Sequence, residues 1–159
     1  MIPAPCIQVA VLFERQRQPS RWEDWRFHVA DVVIDDGRFG TATRVLRDDG
    51  HSAQILHPGL QVTLHRDEAE GYHLNLASGA PVWFVMWRID ETDPPQARPE
   101  FVTLSYNEAG RLLDAQERVD NVPLPAEVRD WLQAFADEHY RPEPKRRQRP
   151  ASFQSPERR

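Results

Sequence analysis

The sequence predicts an α+β fold: a mainly antiparallel β-sheet or partial barrel with a C-terminal amphipathic helix packed on it. Three observations predict it. Short runs rich in β-branched and aromatic residues recur along the chain, separated by Gly, Pro and Asp turn signals. The most apolar of them, "GAPVWFVMWRID" (79–90), has no polar face and is bounded by Gly79-Ala80-Pro81 and by "DETDPP", as a buried central strand would be. A helical period then appears near the C-terminus, where Val128, Trp131, Leu132, Phe135 and His139 share one face.

In chain order, Ile7 to Glu14 reads as a strand and "QRQPSRWED" as a polar loop. "WRFHVADVVID" is a second strand whose alternation slips near Ala30-Asp31, the mark of a bulge. "DDGRFG" is a turn. "TATRVL" and "SAQIL" form a hairpin around Asp49-Gly50. "HPG" at 57–59 reads as another turn, and "LQVTLHRD" and "YHLNLAS" as a hairpin with Leu60, Val62, Leu64, Tyr72, Leu74 and Leu76 on its apolar face. In the 79–90 strand, either Trp83, Val85 and Trp87 or Val82, Phe84 and Met86 face the main core. The last helix is the expected cover for the other face. "EFVTLSYN" (100–107) is the last clear strand; the first half of "EAGRLLDAQERVDNVPL" can form a short helix and "ERVDNV" a short edge strand. Pro125 suits the first position of the final helix, about 125–140, and Pro142 stops it.

The chain's 159 residues suit one domain, 1–141, followed by a tail, 142–159, expected to be disordered. That tail holds six Lys and Arg against two Glu, a net of +4, so the body carries −9 of the overall −5. An acidic body argues against nucleic acid as partner, because contacts to phosphate dominate that affinity. No apolar run is long enough to span a bilayer, and no basic segment precedes a long apolar core, so a cytoplasmic protein without signal peptide is expected. The single cysteine, Cys6, excludes an intramolecular disulfide and leads into a strand, where a structural role is expected.

No chemistry announces itself. Phosphate-binding glycine loops, a G-x-S-x-G elbow and close Cys/His metal spacing are all missing from the sequence. No nucleophile and base pair at a fixed spacing, so no catalytic residue, cofactor or metal is assigned. His65 and His73 would face each other on the polar side of the predicted hairpin, where solvated positions are the simpler reading. His28 and His139 stand alone in apolar patterns and read as structural. The segment "ERQRQPSRWEDWR" (14–26) sets Arg15, Arg17, Arg21 and Arg26 beside Trp22 and Trp25. That mixture suits recognition of an acidic partner or a stacked base; it equally fits tryptophans plugging the end of a sheet beside solvated arginines. The contact candidates are Arg15, Arg21, Trp22, Trp25, Asn75, Arg88, Tyr106 and Asn107.

Several segments in combination, among them Glu14-Arg15, Trp22 and Trp25, Tyr72 with Asn75, Trp83 to Arg88, Ser105-Tyr106-Asn107-Glu108 and Tyr140 to Pro144, resemble the bacterial domain-of-unknown-function family numbered 3305. The likeness runs from about Ile7 to Phe153. It implies a setting: members are commonly encoded beside formate dehydrogenase genes, among accessory proteins of molybdenum enzymes. The expectation is therefore an accessory protein for assembly, maturation or stability of a molybdenum-dependent formate dehydrogenase, with that enzyme or one of its accessory proteins as partner. The alternative is a small-molecule or nucleotide binder, possible enzyme included, in molybdenum-cofactor metabolism, with Asn75, Arg88, Tyr106 and Asn107 around a pocket. Some members are labelled molybdopterin-guanine dinucleotide biosynthesis proteins, but nucleotidyltransferases of that name open on a glycine-rich loop ending in lysine, which this chain lacks.

Overall fold

A computed structural model describes residues 5–18 and 25–142. These form two antiparallel sheets that do not close into a barrel. The first has the order β2-β1-β4-β3, from β1 (Cys6–Arg17), β2 (Trp25–Ile34), β3 (Arg44–Asp48) and β4 (Ser52–Thr63). The second has the order β6-β5-β7, from β5 (Val82–Asp90), β6 (Gln96–Thr103) and β7 (Arg118–Pro123). Three helices complete the fold: α1 (Ala69–Ala77), entered through a 3₁₀ turn at Arg66–Glu68, α2 (Tyr106–Asp114) and α3 (Ala126–His139). The expected tail lies outside the described residues apart from Pro142.

The expected bulge is present: pairing of β1 with β2 steps from Leu12↔Asp31 to Phe13↔Val29, leaving Ala30 unmatched. Asp49 and Gly50 make the β3–β4 turn, with Gly50 at φ +86° and the Asp49 carboxylate accepting from the backbone of His51 and Ser52. The second predicted turn is corrected. β4 runs straight through His57-Pro58-Gly59, because a bulge absorbs them: Pro58 and Gly59 face the single residue Ala10. Pro58 has no N–H to offer the ladder, and Gly59 takes the positive φ the bulge needs, +92°.

β5 is the centre of its sheet, as its composition predicts. Trp83, Val85 and Trp87 are its inward face. Across the interior, Phe13 and Phe27 of the first sheet meet Trp87 edge-on at 5.5 and 6.5 Å. Burying one such side chain contributes roughly 2–3 kcal/mol. The cover of the opposite face is corrected. Its Phe84 lies under Tyr106 of α2 at 6.5 Å, and α2 contacts both β5 and β7. α3 packs chiefly on α1, with Phe135 edge-on to Tyr72 at 5.7 Å, and Val128, Leu132 and Phe135 extend the common core at that end.

One predicted strand becomes a helix, and another ends early. "YHLNLAS" lies in α1, so His65 and His73 are not cross-strand neighbours: His65 precedes the 3₁₀ turn and His73 stacks on Tyr140 at 4.3 Å. "SYN" leaves the sheet after Thr103 and starts α2. Ser105 caps that helix, its hydroxyl accepting from Glu108 N–H at 3.1 Å, while the Glu108 carboxylate accepts a hydrogen bond from the Thr103 hydroxyl. Gly71 allows α1 to press on this cap; a Cβ there would lie 2.0 Å from Ser105 Oγ. His28, read as a structural histidine, is exposed on β2, 4.0 Å from Glu14.

Candidate functional site: a cleft between the sheets

α1 and α3 pack together at one end of the two sheets, and α2 covers the outer face of the second. At the other end the sheets part. β2 and β7 run side by side without a ladder between them, and a hydrogen bond joins them: the Asp120 carboxylate accepts from the Val29 N–H at 2.9 Å. β2 is an edge strand, and that bond satisfies one of its backbone amides. Beyond it lies a cleft of about 690 Å³.

The cleft's apolar surface comes from Trp25 and Phe27 on β2, Trp87 and Ile89 on β5, and Leu113 on α2, the last 55% exposed. Arg26 and Arg118 are charged members of its rim, with Glu91, Asp93 and Glu117. Antiparallel register explains part of this gathering. Trp87 pairs with Arg118 across β5 and β7, and the Arg118 guanidinium lies 5.4 Å from the Trp87 ring centroid.

On the first sheet the lip of the cleft is Trp25, Arg26 and Phe27, while Arg15 and Arg17 adjoin it only through the Trp25 ring. Strand alternation carries Phe13 and Arg15 to the same inner face, so a guanidinium follows directly on the core. Arg15 lies 4.7 Å over the Trp25 ring and Arg17 5.7 Å from it. Arg15 is only 6% exposed, and its Nε has no partner among the described residues. The Trp83 and Trp87 indole N–H groups are likewise buried without partners. An unmade hydrogen bond of this kind costs about 1–3 kcal/mol.

The sequence candidates separate accordingly. Arg15 and Trp25 come together at the lip. Arg88 is exposed on β5 and grips Glu117 through two hydrogen bonds of 3.1 and 2.8 Å. This pairing holds the Glu117 carboxyl below the usual range and raises the arginine in turn. Arg88 thus reaches the cleft only by fixing a rim carboxylate. Arg21 and Trp22 lie outside the described residues.

Asn75, Tyr106 and Asn107 belong to the other end. Asn75 is buried, donating to the carbonyls of Val82 and Leu104 at 2.8 and 3.0 Å and accepting from Val82 N–H at 3.0 Å. Arg88 is six positions further along β5, roughly 20 Å away at strand rise, so one pocket does not unite it with Asn75. Tyr106 is exposed and half covers Phe84; Asn107 opens α2 with its backbone close to Gly71. Sequence reasoning missed Phe27, Trp87, Leu113 and Arg118. Only the β5–β7 register could have signalled the Trp87–Arg118 pair.

Among the described residues no group of three or more His, Cys, Asp or Glu is placed to hold a metal ion. Among the described residues no helix is long and apolar enough to cross a membrane. The profile of a family described as a protein of unknown function, DUF3305, matches residues 8–149. The chain belongs to the DUF3305 family. No curated protein and no solved structure matches it. In this DUF3305 protein the Arg–Trp segment and the Trp83 to Arg88 run, far apart in sequence, meet at one cleft.

Proposed function

We propose that this DUF3305 protein is a binding protein that supports assembly, maturation or stability of a molybdenum-dependent formate dehydrogenase, through contact with that enzyme or one of its accessory proteins. The observation that carries the binding reading is the cleft: an apolar floor of tryptophan, phenylalanine and leucine beside arginines stacked on indoles, the residue types that anchor protein interfaces. The formate dehydrogenase setting comes from the resemblance of its sequence segments to relatives encoded beside that enzyme. The test is deletion of the gene in cells growing with formate. Formate dehydrogenase activity and its molybdenum-cofactor content should both fall; unchanged values of both would end this reading.

One observation favours a second reading, a small-molecule or nucleotide binder in molybdenum-cofactor metabolism. At about 690 Å³ the cleft falls within the usual range of ligand pockets, ~300–1,000 Å³. A thermal-shift screen against guanine nucleotides and molybdopterin precursors separates the two, because a ligand of the native state raises the apparent melting temperature.

A further inference from the structure

Of the chain's seven glycines, five take a positive φ and Gly71 sits against the Ser105 hydroxyl; Gly110 has neither reason. It stands in the middle of α2, where glycine is the poorest helix former after proline, and a Cβ added there would meet nothing within 4 Å. The fold gains nothing from it. Its neighbours on the helix surface are the two large apolar side chains that α2 leaves in solvent: Tyr106, one turn before and 57% exposed, and Leu113, one turn after and 55% exposed. The three share one stripe, a notch between two ridges. Topology gives the direction of that stripe. α2 carries the chain from the end of β6 to the start of β7, across the outer face of β5. Glu108 bonds to Thr103 of β6, and two residues turn a helix by about 200°, so Tyr106 and Gly110 face the other way, over β7. There the outward residues of β7 are half-buried Val119 and exposed Asn121. A trough runs between α2 and this edge strand, both within the continuous described stretch 25–142, and it opens into the cleft, which Leu113 and Val119 also line.

We propose that this trough receives an amphipathic helix of a protein partner, laid beside α2 with its closest approach at Gly110. The inference rests on the binding reading of the cleft given above and names the element that binds. Three features select a helix. The missing side chain at Gly110 lets a second helix axis come nearer than the usual 8–10 Å, while Tyr106 and Leu113, seven residues and roughly 10 Å of rise apart, hold one of its ridges between them. Three strands spaced about 4.8 Å make a face wider than a single helix covers, so the layer that α2 begins has room for another. An extended segment would find no ladder there, because the trough lies on the face of the sheet and not along an open strand edge. Charge fixes the partner's flank: Asp114, exposed on the solvent side of the stripe, matches a Lys or Arg.

The test is selection on the immobilised full chain from a displayed library of peptides of about 18 residues, half with apolar residues at helical spacing and half alternating as in a strand. The selected peptides are then titrated by fluorescence anisotropy. The expected result is enrichment of the helical pattern with Lys or Arg on one flank. Gly110→Leu should weaken binding at least tenfold. Gly110→Ala should also weaken it while raising the thermal midpoint by about 3 °C, because the methyl meets nothing inside the fold and alanine is the better helix former. Undiminished binding in Gly110→Leu overturns the proposal, as does enrichment of the alternating pattern, a lowered midpoint in Gly110→Ala, or no enrichment at all. Two other occupants would each overturn it: a second copy, seen as a full chain that sediments as a dimer but as a monomer in Gly110→Leu, and this chain's own tail, seen as enrichment of Pro- and Arg-rich sequences like residues 143–159. If helical peptides bind as expected while gene deletion leaves formate dehydrogenase unaffected, the accessory role fails and the trough stands; the reverse pairing of results fails the trough alone.

Discussion

Replacing Asn75 by alanine decides whether that residue is framework or ligand contact. The β5–β6 ladder ends at Phe84↔Thr103, so Val82 has no partner on β6. The Asn75 side-chain amide takes that place, giving its donor and its acceptor to Val82 and a second donor to the Leu104 carbonyl. Asn75→Ala removes three hydrogen bonds. Leu104 is 1% exposed, so its carbonyl bears a full desolvation penalty of about 1–3 kcal/mol, whereas half-buried Val82 regains part of its loss from water. The sum is about 3–4 kcal/mol. For a domain of this size each kcal/mol moves the thermal midpoint by roughly 3–5 °C, so a fall of about 10–15 °C is expected. Urea unfolding followed by tryptophan fluorescence gives the free energy directly. A loss below about 1 kcal/mol, or an unchanged midpoint with weakened ligand or partner binding, would refute the reasoning.

Other expectations follow from the same geometry. Gly71→Ala should destabilise by more than about 2 kcal/mol, because the new methyl would overlap Ser105 Oγ and displace the α2 cap; a loss under 0.5 kcal/mol, on the scale of ordinary surface changes, would contradict that contact. His57 is held below its ordinary value of 6.5 by burial, its ring edge-on to Phe13 and its Nε2 without a partner among the described residues. A folded-state value below the unfolded one contributes stability above the unfolded value that is lost as pH falls through the folded one, so the urea midpoint should drop below about pH 6.5, and His57→Phe should flatten that slope. Burial raises the Tyr72 phenol to about 12, well above its ordinary value of 10.0. Its stabilising contribution is complete below pH 10 and is lost as pH rises toward 12; Tyr72→Phe should remove that alkaline decline and cost ~1 kcal/mol at neutral pH for the bond to His65 N–H.

Where a single period ruled, the sequence was legible. The β1 and β2 runs, the Asp49-Gly50 hairpin, the two-sided burial of β5, the edge strand "ERVDNV" and the apolar stripe of α3 all follow from local pattern. α1 was not legible, because its buried face holds Gly71 and Asn75 beside Tyr72, while Leu74, which completes the apparent strand alternation, is 39% exposed. The face is chosen by a close helix crossing and a hydrogen-bond role, neither of which counts as apolar. α2 did carry a local signal, the Ser105-x-x-Glu108 capping box, outweighed in the reading by the β-rich "FVTLSY" before it. At the candidate site, the 14–26 segment supplies Trp25 to the cleft, with Arg15 stacked on its ring. The opposite wall could not be seen, because Trp87 and Arg118 reach it only through pairing of β5 with β7 and packing of one sheet on the other.

The central claim is that the open end of the two sheets receives a partner of the formate dehydrogenase system. The most direct measurement is affinity capture from cells growing with formate, read by mass spectrometry, comparing the unaltered chain with Trp25→Ala. Trp25 is half-buried at the start of β2, so its loss should leave the fold in place, to be verified by thermal melting. The account predicts that the unaltered chain captures formate dehydrogenase or one of its accessory proteins, and that Trp25→Ala loses at least tenfold of that capture. Equal capture by both proteins, or none by either, would contradict it.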